Sequence, residues 1–130
     1  MSISESFAGW LQSNAAIGAI TDEIRPQVLP DDASYPALTY QLAGQTNERG
    51  IGDFHSMKQA DFIVNFYSPQ YADCKSLATV ARSELEGFVG IMGDYDCEQV
   101  EIDVDFDRYM NQEKLHGVSM TATIWYTPGD

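Results

Sequence analysis

Strict alternation of apolar and acidic residues in the stretch 100–107 (VEIDVDFD) most constrains the fold of this chain. Because neighbouring side chains of a β-strand point to opposite faces of a sheet, the pattern predicts a strand over about residues 98–107. Residues 116–126 alternate in the same way after a polar link, so we expect an antiparallel hairpin. The apolar positions of the first strand are Val100, Ile102, Val104 and Phe106, and the acidic positions are Glu101, Asp103, Asp105 and Asp107.

The remaining sequence predicts two helices and three further strands. Apolar spacings of three and four residues favour one helix over about 3–14 and a second that begins with Ser68 as N-cap and Pro69 as its first residue. We expect a short edge strand at 23–28 and longer strands at 36–44 and 60–68. These elements predict an α+β fold with an antiparallel or mixed sheet and two helices packed on one face.

The length of 130 residues fits a single domain over residues 1–130. The polar, glycine-rich segment 43–56 is expected to form a long loop or a loose hairpin. We also expect this segment to be mobile in the free subunit and to become ordered against a neighbour.

Charge and composition exclude several classes of protein. Seven Lys and Arg stand against 20 Asp and Glu, and the resulting net charge of −13 repels nucleic-acid phosphate. The sequence has neither a stretch of about 18 apolar residues nor a secretory signal, so we expect no membrane span and a cytoplasmic site of synthesis. Cys74 and Cys97 lack the spacing of a zinc site, and core thiols are the expectation for both.

No catalytic motif is present in the sequence. The phosphate-binding and nucleophile-elbow patterns are missing, and His55 and His116 stand far apart along the chain. We therefore predict a protein that is not an enzyme and that uses no cofactor and no metal.

The acidic positions leave three interpretations open: a solvated sheet face, a functional acidic surface, or a shared site for a hard cation such as Ca²⁺. Trp125 falls on the polar face of its strand, where it is either an interface anchor or a cap on the sheet edge. Arg49, Ile51 and Phe54 in the 43–56 segment are further candidate interface residues.

One proline-spaced stretch resembles a known family. Arg25-Pro26, Leu29-Pro30 and the run 35–41 (YPALTYQ) are similar to the signature of the tail completion proteins of tailed bacteriophages, a family discussed with the tail terminator proteins. Further apolar and small positions extend the resemblance over about residues 3–126. The resemblance implies a structural virion protein that forms a ring, commonly a hexamer, at the head-proximal end of the tail tube.

The same resemblance implies partners and a location. The chain would contact other copies of itself, the tail tube protein and the head–tail connector or head completion protein, while DNA passes through the ring without specific binding and no membrane is involved. It would be made in the host cytoplasm and reside in the virion tail. The acidic positions 101, 103, 105 and 107 would then line the lumen and repel DNA, or lie outside and keep the free subunit soluble. The alternative is a small acidic cytoplasmic binding module, an inhibitor or nucleic-acid mimic.

Overall fold

Seven strands form one curled mixed sheet, and the helices pack on one of its faces. The structure is a computed structural model that describes residues 2–49, 56–103 and 106–128. The strand order is β1-β2-β3-β7-β5-β4, and β6 pairs with β7. The predicted α+β class is confirmed. In chain order the elements are α1 (Ile3–Ser13), α2 (Ala15–Gly18), β1 (Ile24–Pro26), β2 (Ala37–Arg49), β3 (Ser56–Ser68), α3 (Tyr71–Leu85), β4 (Gly90–Met92), β5 (Tyr95–Ile102), β6 (Phe106–Met110) and β7 (Leu115–Pro128).

The helix ends show where local sequence signals succeed and fail. At α1 the Ser2 hydroxyl accepts a hydrogen bond from the Glu5 amide at 3.1 Å, and the Glu5 carboxylate caps the Ser2 amide in return. The predicted start of the second long helix was wrong. Ser68 is still the last residue of β3, where it pairs with His116, and α3 begins only at Tyr71.

The sheet is antiparallel except at one edge, where β1 runs parallel to β2. The strands β2 and β3 form a long hairpin whose pairing extends to Arg49 and Ser56. The segment 43–56 was expected to form a long loop or a loose hairpin, and its described residues take the hairpin form, since 43–49 belong to β2 and residue 56 begins β3. Residues 50–55 lie outside the described part of the chain.

The hydrophobic core lies between one face of the sheet and the helices. Phe7 of α1 stacks on Phe62 of β3 with ring centroids 4.2 Å apart, and Leu77 and Leu85 of α3 pack over the same face. The alternation predicted for the central strands is confirmed, since one set of side chains from each is buried. The buried sets are Ala60, Phe62, Val64 and Phe66 in β3 and Val118, Met120, Ala122, Ile124 and Tyr126 in β7.

The acidic stretch 98–107 is not one strand. Ile102 pairs with Ala122 and Phe106 with Ser119, so four steps along the acidic stretch face three steps along β7. One extra residue in a strand pair moves every following side chain to the opposite face. The predicted apolar face therefore ends at Ile102, and Phe106 is 53% exposed on the face that carries no described helix. Val104 and Asp105 lie outside the described residues.

Phe62 is buried and Phe106 is half exposed, so the two residues give a matched test of which sheet face forms the core. Replacement of Phe62 by alanine removes a fully buried ring that stacks on Phe7, and we expect a loss of roughly 3–5 kcal/mol in the free energy of unfolding. Phe106→Ala should cost about 0.5 kcal/mol because that ring is half exposed. Urea denaturation followed by circular dichroism measures both, and equal costs would contradict the assigned faces.

Candidate functional site

The four acidic positions singled out in the sequence do not share one surface. Glu101 pairs with Thr123 on the sheet face opposite the helices, which we call the open face. Asp107 pairs with Val118 on the helix side, after the extra residue has changed the facing. Asp103 is exposed between the two strands, and Asp105 lies outside the described residues. The expectation of a single acidic row is therefore wrong, because the register with β7 divides it.

Asp107 belongs to a local network with helix α3. Its carboxylate accepts hydrogen bonds from the Tyr71 hydroxyl at 2.6 Å and from Lys75 Nζ at 3.2 Å. The Tyr71 hydrogen bond, and then that of Lys75, lower the pKa of Asp107, and the same contact raises the pKa of Tyr71. Asp107 thus links β6 to α3, and its negative charge is paired with the positive charge of Lys75.

A larger group of acidic residues lies near the β5 edge of the sheet. β4 pairs with β5 only from Tyr95 to Cys97, so the following residues of β5 form an edge against which Gly87 donates one hydrogen bond, to the Val100 carbonyl. Charged side chains on an exposed edge discourage pairing with another strand. The sequence 83–107 contains no lysine or arginine, and its acids are Glu84, Glu86, Asp94, Asp96, Glu98, Glu101, Asp103, Asp105 and Asp107.

Trp125 lies on the open face of β7, between Gln59 of β3 and Gln99 of β5, and is half-buried. Because β7 is flanked on both sides, the interpretation of Trp125 as a cap on the sheet edge was wrong. Its role as an interface anchor stays a prediction. Of the other interface candidates, Arg49 is the last residue of β2, and Ile51 and Phe54 lie outside the described residues.

A groove of about 510 Å³ crosses one end of the open face. Its floor is formed by Thr39 of β2, Tyr67 of β3 and Leu115 of β7. The loop 27–35 makes one wall, and the β6–β7 hairpin makes the other. The wall residues are Gln27, Val28, Leu29, Pro30, Asp31 and Tyr35 on the loop and Met110 and Glu113 on the hairpin, with Pro69 also in the lining.

The loop wall is held in place by one carboxylate. Glu23 is buried, and its two oxygens accept hydrogen bonds from Arg25 Nε at 2.5 Å and from the Ser34 amide at 3.1 Å. The Arg25 contact, and then the Ser34 amide, lower the pKa of Glu23, so its charged form is the one that fixes the loop. Two apolar side chains on this fixed loop still face solvent, since Val28 is 76% and Tyr35 40% exposed.

The floor of the groove also depends on a close approach at Gly117. The Arg108 side chain crosses over this glycine, and a Cβ there would stand 3.2 Å from Arg108 Cγ. Having crossed, Arg108 donates a hydrogen bond to the Tyr67 hydroxyl at 3.1 Å. The absence of a side chain at Gly117 therefore allows Arg108 of β6 to reach and hydrogen-bond Tyr67 in the groove floor.

The described residues assemble neither a catalytic nor a metal-binding constellation. Burial raises the pKa of both Cys74 and Cys97 to about 11, so neither thiol is an activated nucleophile. His116 packs between the rings of Tyr71 and Tyr109, while His55 is outside the described part. Within residues 2–49, 56–103 and 106–128 there is no metal-binding group of acids, histidines and cysteines, and no helix long and apolar enough to cross a bilayer.

Sequence reasoning missed the groove because its floor comes from three distant parts of the chain. One signal was available. Val28 and Leu29 are bulky apolar residues in a proline-bounded loop that has no helical or strand period to bury them.

The Asp107 network yields a test by titration. Tyr71→Phe removes the strongest hydrogen bond to the carboxylate, so the pKa of Asp107 should rise toward its ordinary value while Lys75 still holds part of the shift. Because the folded-state pKa is lowered, the stabilisation from this network is present at neutral pH and lost as the pH falls through that pKa. Carboxyl-carbon NMR measures the midpoint. Tyr109→Phe is the control that should leave it unchanged, and equal midpoints in Tyr71→Phe and wild type would contradict the assignment.

Comparison with known proteins shows a similarity of fold. No protein-family model matches the chain, and no curated protein matches it. Among solved structures, the chain is similar to a chain of the structure described as "Virion of native gene transfer agent (GTA) particle", with 11% sequence identity and a TM-score of 0.67. The alignment covers 94% of this chain and 93% of that chain. At this level of identity, the likeness shows that the two chains have the same fold over nearly their whole lengths.

Proposed function

We propose that this protein is a structural component of a phage-like virion. The observation that carries the proposal is the shared fold with a chain from a gene transfer agent virion, over more than nine-tenths of both chains. The surface features of the described residues, an open face and a groove, are those of a protein that works by contact.

Within that role, we propose a ring at the head-proximal end of the tail tube, where the protein ends tube growth or joins the tail to the head connector. The resemblance of residues 25–41 to tail completion proteins supports this position. The fold also supports assembly into a ring, because its helices cover one sheet face and leave the other face free for neighbours. A six-membered ring is the form that the resemblance favours.

The acidic β5 edge suits a passage for DNA. Glu98, Glu101 and Asp103 are exposed there, and the surrounding sequence brings no cation. A ring of chains that each carry −13 would repel phosphate, so DNA could slide through without sticking. We therefore restrict the lumen hypothesis to these three residues, since Asp107 is shared with Tyr71 and Lys75.

The second candidate is a small acidic binding module that acts outside a virion, and the exposed acids of the β5 edge favour it. The two functions predict different co-purification behaviour. A virion component co-purifies with particles at high salt, whereas an acidic module bound to a basic partner dissociates as salt screens the charges.

The tail-end role predicts a specific defect when the protein is missing. Particles made without it should show tubes of uncontrolled length that lack heads, because nothing ends the tube or joins it to the connector. Negative-stain electron microscopy measures tube length, and supply of the wild-type protein from a plasmid is the control. Tails of normal length attached to heads would contradict the proposal.

The lumen hypothesis has a separate test. The triple substitution Glu98→Gln, Glu101→Gln and Asp103→Asn should leave assembly intact and slow DNA delivery, because a less acidic lumen repels the DNA phosphates less and lets DNA stick more. The matched control is Asp73→Asn, which neutralises an exposed acid on α3. DNA delivery per assembled particle is the readout. A triple variant that delivers DNA as fast as wild type would place this edge away from the DNA.

A further inference from the structure

We propose that a cleft between helix α1 and strand β4 binds an alkylammonium ion, that is, the –NH₃⁺ group at the end of a short alkyl chain. A lysine side chain of another protein and a free polyamine both carry this group. The residues that line the cleft are distinct from those of the groove, and the inference does not depend on the proposed virion role.

The cleft has a volume of about 290 Å³. This volume suits a short alkyl chain, since sites for drug-sized ligands span roughly 300–1,000 Å³. Ser6, Gly9 and Ser13 are three and four residues apart, so they lie on one face of α1. The α1 wall is completed by Glu5 and Trp10, and the opposite wall consists of Ile91, Met92 and Gly93.

The Ser6 hydroxyl lies at the bottom of the cleft and has no hydrogen-bond partner among the described residues. Ser6 is 1% exposed, whereas Gly9 and Ser13 on the same helix face are exposed. A buried hydroxyl that lacks a partner costs free energy, so most buried polar groups in folded proteins have one. The oxygen of Ser6 can accept a hydrogen bond from an N–H donor that enters the cleft.

Gly9 leaves space that the described residues do not fill. A glycine inside a helix is less favourable than an alanine. Among the described residues, no atom outside the helix backbone stands within 4 Å of the position that a Cβ of Gly9 would take. Packing within the described chain therefore gives no steric reason for a glycine here. The gap gives an incoming alkyl chain access to Ser6, which lies one turn back along the helix.

The charge around the cleft selects a cation. Glu5 lines the cleft, and its Oε1 accepts a hydrogen bond from the Ser2 hydroxyl at 3.1 Å, which holds the carboxylate in place. A carboxylate accepts several hydrogen bonds, so Glu5 can also receive one from an ammonium group. Both walls come from stretches without lysine or arginine, 1–24 and 83–107, in a chain of net charge −13. Such surroundings attract cations and repel anions.

The apolar lining matches an alkyl chain. The Trp10 ring packs edge-on against Phe88 with centroids 5.3 Å apart, so its orientation in the cleft wall is fixed. A cation beside an indole ring gains cation–π attraction. Methylene groups that lie against Ile91 and Met92 lose contact with water, which favours binding. An ion with N–H donors, a positive charge and a short carbon chain therefore matches both the polar and the apolar lining.

NMR of the two tryptophan indole N–H groups tests the site, with n-butylammonium chloride as the probe. Trp10 lines the cleft and Trp125 lies on the open face, so every spectrum contains an internal reference. The Trp10 signal should shift and saturate as the probe is added, while the Trp125 signal stays unchanged. n-Butanol, which has the same alkyl chain without the charge, and sodium chloride at equal ionic strength should give no saturable shift.

Two substitutions remove parts of the site without removing packing. Ser6→Ala deletes a buried hydroxyl that lacks a partner, and it should weaken binding roughly tenfold through the lost hydrogen bond to the ammonium. Gly9→Leu places a side chain in the gap and should abolish binding. This variant should fold, because leucine favours a helix and the space is open. Circular dichroism checks the fold of both variants.

Matched controls separate the site from general attraction to an acidic protein. Gly18→Leu adds the same side chain at another helical glycine with open space around it. Asp73→Asn neutralises an exposed acid on α3, for comparison with Glu5→Gln in the cleft. The two controls should bind the probe as wild type does, and Glu5→Gln should weaken binding.

The inference is overturned if the Trp10 signal does not shift or if the Trp125 signal shifts equally. Binding of the probe to Gly9→Leu as tightly as to wild type also overturns it. Competition by spermidine and by Nα-acetyl-lysine amide then distinguishes the two sources of the ion, with Gly9→Leu as the baseline. Tighter binding of spermidine assigns the site to a free polyamine, and equal or tighter binding of the lysine derivative assigns it to a lysine of a partner protein. Failure of both to displace the probe contradicts the inference.

Discussion

Burial of one face of β3 and β7 beneath α1 and α3 is the constraint on which the rest of the structure depends. Phe62 illustrates it, since its ring lies fully buried against Phe7 of α1. Because side chains alternate along a strand, a shift of one residue in either central strand would expose the whole apolar set to water. The core thereby fixes the register of the two central strands and determines which side chains remain outside.

The same register determines which side chains lie outside the core and on which face of the sheet. Because of the extra residue after Ile102, Phe106 lies on the open face. Asp107 lies on the helix side, where it accepts hydrogen bonds from Tyr71 and Lys75. The helices leave the open face free, and the anchored loop 27–35 builds a groove at one end of it. The described residues therefore present an acidic edge, a half-buried tryptophan and an apolar groove, and the three described helices lie on the opposite face of the sheet.

Local signals predicted the parts of the fold that local chemistry decides. The capping box at Ser2 and the alternation through β3 and β7 are readable because each residue's role depends on its near neighbours. The break within 98–107 was not readable, since the apolar and acidic alternation continues through it and only pairing with β7 reveals the extra residue. Ser68 likewise had a helix-capping pattern, but pairing with His116 keeps it in a strand. The groove joins residues from three regions of the chain, so no window of sequence contains it.

The central claim is that this chain is a virion component located where the tail meets the head. A cryo-electron microscopy reconstruction of the particle that carries it, at a resolution that separates β-strands, tests this most directly. The account predicts a ring of subunits with this seven-stranded fold, between the end of the tail tube and the head connector. A junction built entirely from other folds, with this chain elsewhere in the particle, would contradict it.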